Sequence, residues 1–291
     1  MADRQTPWIE AVLAECPSRA FQSRLREELE RKAKQMSPSV TVGVPAGFTT
    51  VTPYVAVVDV ERLIAFAGEA FGAVEEYRTT GSAGGPFCIM RIGDSKLMFT
   101  GGPPVKDRQK LNAFHMHVPD TDAVYQRAID AGGESLFAPV DKPYGERVAG
   151  VKDPTGNMWY IATRKAPLLE GVRTVTPYMF ANDTSGLIEF LQQAFSARKE
   201  GEIYKTPDGK VMHAMLWIGD SAIEFGESQG LPFAFYLYVP DADALYRQAV
   251  AAGATSLFPP SDQAHGDRVG GVEDAWGNTW YIATHQARDN R

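Results

Sequence analysis

The chain has only two cysteines in 291 residues, Cys16 and Cys88. They stand too far apart for a CxxC metal knuckle or the framework of a disulfide-rich domain. Basic charge is in deficit: 29 Lys and Arg face 36 Asp and Glu, a formal net charge of −7. With no basic stripe either, nucleic acid is not an expected partner. No apolar run reaches the roughly 18 residues a membrane-crossing helix needs, and the N-terminus lacks the basic, apolar and small-residue order of a signal peptide. No membrane contact is therefore expected, and the expected location is cytoplasmic. What remains, 44% hydrophobic and 22% charged, is the composition of a globular protein long enough for two domains.

The sequence repeats itself, and a repeat decides the architecture. Val51-Thr52-Pro53-Tyr54 returns as Val175-Thr176-Pro177-Tyr178, and Ile92-Gly93-Asp94-Ser95 as Ile218-Gly219-Asp220-Ser221. Val118-Pro119-Asp120 recurs at Val239-Pro240-Asp241, and Trp159-Tyr160-Ile161-Ala162-Thr163 at Trp280-Tyr281-Ile282-Ala283-Thr284, in the same order. Residues 48–165 and 172–287 are thus expected to be two copies of one domain. Within a copy, alternating strands and apolar helical stripes read βαβββ twice. This predicts an α+β fold, an eight-stranded curved mixed sheet per domain with helices outside. Whether modules pair within a copy or swap between copies is left open by the strand pattern, which is the same for both. Residues 1–46 form the remainder, a helical N-terminal arm and linker. Ser18 is placed to cap a helix with Phe21, Leu25 and Leu29 on one stripe. Such an arm can dock on its own domain or on a second subunit, making a homodimer.

Strand parity picks out candidate site residues. In Phe114-His115-Met116-His117 the apolar residues share one face, so His115 and His117 share the other. Two imidazoles there can grip a metal, relay a proton, or simply line a cavity. Ile223-Glu224-Phe225 turns Glu224 to the same inner side, where an apolar wall would tune a carboxylate for acid–base work; Glu224 is the candidate catalytic residue, with His213 as its candidate partner. Tyr236 and Tyr238 take the places of the two histidines in the second copy. With Tyr54, Tyr160, Tyr178 and Tyr281 they suggest an amphipathic pocket for a small organic molecule. Arg147 and Arg268, in matching Gly-Glu-Arg-Val and Gly-Asp-Arg-Val turns, can clamp an anion or hold their own loop. Asp153-Pro154-Thr155-Gly156-Asn157 and Asp274-Ala275-Trp276-Gly277-Asn278 are read as structural hairpin turns.

These motifs together, Thr-Pro-Tyr, Ile-Gly-Asp-Ser, Val-Pro-Asp-x-Asp and Gly-Asp/Glu-Arg-Val…Asp-x-x-Gly-Asn-x-Trp, resemble the PhnB-like branch of the vicinal oxygen chelate superfamily. That superfamily includes glyoxalases, bleomycin resistance proteins and extradiol dioxygenases. The resemblance implies metal ligands on the first, fourth, fifth and eighth strands, as His or Gln, Glu, His and Glu. Carried over, those positions hold Thr52, Met98, Ala113 and Tyr160 in one copy and Thr176, Glu224, Ala234 and Tyr281 in the other. Counted copy by copy, one carboxylate is left where a metal needs three or four donors. The expectation is therefore no metal ligand set and no cofactor, with a divalent metal left open, in a metal-free small-molecule-binding protein of the sequestration or resistance type. Two alternatives stand beside it. One is a lyase or dioxygenase-type enzyme with an atypical metal site or a Glu224-based mechanism; the other is an oligomeric interaction protein. Whether the chain is an enzyme is left open.

Overall fold

The computed structural model describes residues 43–81, 84–102 and 110–286. The expected arm helix from Ser18 and Cys16 lie outside the described residues.

The first copy runs β1 (Val51–Val57), helix Val60–Phe71, β2 (Val74–Thr80), β3 (Pro86–Ile92), β4 (Ser95–Gly101), β5 (Ala113–His117), helix Thr121–Asp130, β6 (Glu134–Asp141), β7 (Glu146–Lys152) and β8 (Met158–Arg164). The second runs β9 (Val175–Ala181), helix Thr184–Phe195, β10 (Arg198–Lys205), β11 (Val211–Ile218), β12 (Ser221–Glu227), β13 (Ala234–Tyr238), helix Ala242–Ala251, β14 (Thr255–Asp262), β15 (Asp267–Glu273) and β16 (Thr279–His285). Both βαβββ repeats are therefore present. Each helix starts at an aspartate whose carboxylate accepts a first-turn N–H: Asp59 from Arg62, Asp120 from Ala123, Asp183 from Gly186 and Asp241 from Ala244. The Asp of Val-Pro-Asp is thus a helix cap.

Two eight-stranded mixed sheets result, with orders β14-β15-β16-β13-β1-β4-β3-β2 and β10-β11-β12-β9-β5-β8-β7-β6. Each joins the first module of one copy to the second module of the other. The seams are antiparallel pairs, β1 with β13 (Thr52 opposite Tyr236) and β9 with β5 (Thr176 opposite His115). The pairing that sequence left open is therefore the crossed one, and a copy does not own a sheet. It does own a core. Helix Val60–Phe71 packs on helix Thr121–Asp130, and Thr184–Phe195 on Ala242–Ala251. Phe71 lies 4.7 Å from Trp159 and Phe195 4.7 Å from Trp280, ring centre to ring centre. Trp159, Trp280, Phe114 and Phe235 are fully buried there, each burial contributing on the order of 2 kcal/mol.

The Ile-Gly-Asp-Ser turns tie the two sheets together reciprocally. Asp220 and Ser221 accept the backbone N–H groups of Thr50 and Val51 at 2.7 and 2.8 Å. Asp94 and Ser95 accept those of Thr174 and Val175 at 2.8 and 2.9 Å. The glycine is required on two counts. Gly93 and Gly219 have φ of 58° and 60°, and a Cβ on either would sit 2.2 Å from the hydroxyl of Thr174 or Thr50.

Candidate functional site

The crossed sheets decide which side chains meet. On the second sheet, β5 from the first copy lies beside β9 of the second, with β12 one strand further out. Phe114 and Met116 are buried under the helices, as parity requires, so His115 and His117 turn to the inner face. Ile223 and Phe225 are likewise buried, and Glu224 turns inward to meet them. The Glu224 carboxylate lies 2.9 and 3.1 Å from His115 Nδ1, while His213 on β11 stands 3.5 Å from it. One donor atom each from His115, His117 and Glu224 falls within 4.8 Å of the other two. The absence of a ligand set was inferred by counting each copy alone. The structure corrects that premise, because the carboxylate missing from the first copy arrives from the second.

The electrostatics separate the two imidazoles. Burial alone would depress the His115 pKa, but Glu224, and more weakly Glu146 at 3.5 Å from Nε2, raise it above its ordinary value. His117 is lowered to about 4 by burial and by the neighbouring His115; its Nδ1 is buried with no hydrogen-bond partner. Burial would raise the Glu224 carboxyl, but His115 and His213 hold it well below the usual range. In this set Glu224 is ionised and His117 neutral, the forms in which each donates a lone pair.

The expected tyrosine pocket divides between the sheets. Tyr160 and Tyr178 face the histidines and form an aromatic wall with Phe180: Tyr178 to Phe180 is 4.8 Å and Tyr160 to Tyr178 5.9 Å between ring centres. Burial, then Glu224, push the Tyr178 hydroxyl pKa up. Tyr54, Tyr236, Tyr238 and Tyr281 line the first sheet instead, where Met98 stands in the place of Glu224. There Tyr236 and Tyr238 donate to a single buried carboxylate, Asp267, at 3.1 and 3.3 Å, and His285 Nδ1 meets its other oxygen at 2.7 Å. Phe48 and Val44 pack into the same cluster.

Arg147 and Arg268 are not brought to either site. In β7, Val148 and Gly150 pair with Ala162 and Tyr160, which puts Glu146 on the inner face and Arg147 on the other. Arg147 Nη2 donates to Asp122 at 2.7 Å, and Arg268 Nη2 to Asp243 at 2.8 Å, each at the first turn of a helix. Both therefore hold strand to helix, and the ligand-clamping expectation is withdrawn for them. The same register places Glu146 and Arg164 at the inner face, which the sequence reading passed over; the signal for Glu146 is its place next to Arg147, and for Arg164 its spacing of four from Tyr160 on one strand. Arg91 pairs with Glu76 at 2.7 Å and Trp217 donates to Glu200 at 2.8 Å. In the Asp-x-x-Gly-Asn turns, Asp153 and Asp274 each accept from the following tryptophan, Trp159 or Trp280, at 3.0 Å. These turns are structural.

Comparison with known proteins follows the same lines. The Glyoxalase/Bleomycin resistance protein/Dioxygenase superfamily matches residues 48–161. An uncharacterized protein of Mycobacterium bovis is 33% identical over 123 residues, covering 37% of this chain and 80% of its own length. One of Mycobacterium tuberculosis has the same identity over 123 residues, covering 37% of this chain and 72% of its own. Among solved structures, glyoxalase I from Zea mays is similar with a TM-score of 0.63 at 17% identity, over 80% of this chain and 92% of that one. A putative dioxygenase from Bacillus subtilis gives 0.55 at 13% identity, over 80% and 84%. The two structural likenesses are of fold. Among the described residues no helix is long and apolar enough to cross a membrane.

Proposed function

We propose, given that the chain belongs to the Glyoxalase/Bleomycin resistance protein/Dioxygenase superfamily, that the inner face of the second sheet binds a divalent transition metal through His115, His117 and Glu224 and presents it to a small organic molecule. The observation that carries this is the convergence of those three donors within 4.8 Å from two different copies. Donors of one four-coordinate ion lie about 3.4 Å apart, so a small inward movement of the side chains completes the set. Two further features fit. The buried Nδ1 of His117 has no partner, and Glu146 faces the far nitrogen of His115 at 3.5 Å, where a carboxylate orients a metal-bound imidazole. Two histidines and one carboxylate with open positions suit zinc, iron(II), manganese or nickel. When bound, such an ion supplies Lewis-acid polarisation of a ligand oxygen. The chain's own residues hold His115 by two carboxylates and offer Tyr160 and Tyr178 to the ligand body.

The set is not the one the family resemblance implies. Of the implied positions on this sheet only Glu224 is a ligand type, since Thr176, Ala113 and Tyr160 fill the others; His115 stands one inward step along β5 from Ala113. That departure supports a second reading, a metal-free pocket of the sequestration or resistance kind in the PhnB-like branch, in which the His115 and Glu224 contact is complete without an ion.

Metal content of protein prepared without chelator or nickel affinity, with thermal shifts on adding zinc, iron(II), manganese and nickel, separates the two. Near-stoichiometric metal that is lost in both His117→Ala and Glu224→Gln supports the ion. Folded protein with no metal and no shift leaves the metal-free pocket.

A further inference from the structure

His213 stands outside the three-donor group, yet the strand register carries it to the same face. In the β11 and β12 pair Met215 lies opposite Glu224, and His213, two residues back along β11, shares that face. Its ring centre is 6.2 Å from that of Tyr178 and 6.5 Å from that of Tyr204. Among the described residues the only polar contact of its ring is with Glu224, whose Oε2 lies 3.5 Å from its Nε2. That spacing is close to the roughly 3.4 Å between neighbouring donors on one four-coordinate ion. The same Oε2 is 2.9 Å from His115 Nδ1, so two imidazoles from different strands converge on one carboxylate oxygen.

The duplicate supplies an internal control. On the first sheet the places of His115, His117, His213 and Glu224 are held by Tyr236, Tyr238, Phe87 and Met98. Three of the chain's five histidines therefore gather on one inner face, around its buried carboxylate, and all four positions change together between the faces. Phe87 packs 6.3 Å from Tyr54 much as His213 packs 6.2 Å from Tyr178. The aromatic contact at this place needs a ring and not an imidazole. What the imidazole adds is a nitrogen lone pair beside the carboxylate. Exposure also sets His213 apart: its side chain is 41% exposed, against 12% for His115 and 3% for Glu224. The two buried donors are fixed by packing, and His213 has room to turn towards an ion they hold.

From this we propose that His213 is the fourth protein ligand of the ion, completing a shell of three imidazoles and one carboxylate with His115, His117 and Glu224. The proposal rests on the metal reading of this face. An organic molecule can still join as a fifth donor, since zinc expands its shell in this way. The test compares full-length wild type, His213→Gln and His213→Ala, each checked for folding by circular dichroism. Zinc affinity is read by chelator competition, and the coordination shell by the visible absorption of the cobalt(II)-loaded protein. Both variants should bind zinc at least tenfold more weakly, the loss that even an outer-shell partner of a metal ligand brings. Their cobalt(II) bands should shift as a solvent oxygen replaces the imidazole. Added imidazole should restore affinity and band position to His213→Ala, which leaves space for it, and not to His213→Gln. A zinc Kd within about threefold of wild type would overturn the proposal and leave the ion with three protein ligands. Weaker zinc with an unshifted cobalt(II) band and no imidazole rescue would also overturn it, leaving His213 as a hydrogen-bond partner of Glu224. Wild type that binds neither zinc nor cobalt(II) overturns the metal reading itself, and this proposal with it.

Discussion

Removing Glu224 from metal-free protein tests whether the two copies meet as described. The carboxylate is 2% exposed and is held by His115 at 2.9 Å. Deleting one partner of a buried pair costs roughly 3–5 kcal/mol, because the remaining charge is left uncompensated. His115 retains Glu146 at 3.5 Å, so Glu224→Ala is placed at the lower end, about 3 kcal/mol. For a fold of this size each kcal/mol moves Tm by about 2–4 °C, giving a fall of about 6–12 °C. Glu224→Gln keeps the shape and an acceptor for His115 and should lose about half as much. His115→Asn, combined with Glu224→Ala in a double-mutant cycle, isolates the contact, with an expected coupling of about 2 kcal/mol. The assay is thermal and urea denaturation by circular dichroism after chelator treatment at pH 7. A coupling under about 0.5 kcal/mol in folded variants would refute the pairing, and with it the joining of β5 to the second copy's β12 through β9.

Three further outcomes follow from other parts of the fold. Gly219→Ala should destabilise by about 2–3 kcal/mol, since it combines a positive φ with a Cβ clash. Gly209→Ala, with φ 88° but nothing within 4 Å, should lose only about 1 kcal/mol; urea midpoints compare them. Arg147→Ala should leave metal retention unchanged and alter stability by less than about 1 kcal/mol, since its partners are surface groups; loss of bound metal in the folded variant, read by elemental analysis, would return Arg147 to the site. His117 titrates near 4 in the folded chain against about 6.5 unfolded. The folded state therefore binds fewer protons, and its contribution is present above the unfolded pKa and lost as pH falls from 6.5 towards 4. The full loss is about 3 kcal/mol, and chelator-treated His117→Gln should show a correspondingly flatter acid limb in urea titrations from pH 7 to 4.

The inner and outer faces of the strands were legible because alternation is a local property. Phe114 and Met116 against His115 and His117, and Ile223 and Phe225 against Glu224, follow from period two alone. The Asp-x-x-Gly-Asn hairpin turns were legible because turn chemistry too is local. Pairing between copies was not, because both copies carry the same strand pattern and the choice is made by non-local contacts such as Asp220 to Thr50. The candidate site inherited that gap: its histidines and its carboxylate were each recognised and never placed together. Glu146 was missed since its face is fixed by the register of β7 against β8, whereas Arg164 follows from Tyr160 by the same alternation and was passed over. The two arginines were left between a clamp and a structural role because their aspartate partners, Asp122 and Asp243, lie 25 residues away in sequence.

A pair of identical single-copy subunits could build two crossed sheets like these, but every substitution would then appear on both inner faces at once. Joining the copies in one chain breaks that bond between the cavities. Glu224 can occupy the place equivalent to Met98 without Met98 having to change, and the histidines of β5 have no obligation to recur on β13. One face is left to accumulate tyrosines and draw in its own linker while the other collects charge. The tandem arrangement thus makes specialisation a matter of single mutations, and it ties the fate of the specialised face to both halves of the chain, neither of which carries it alone.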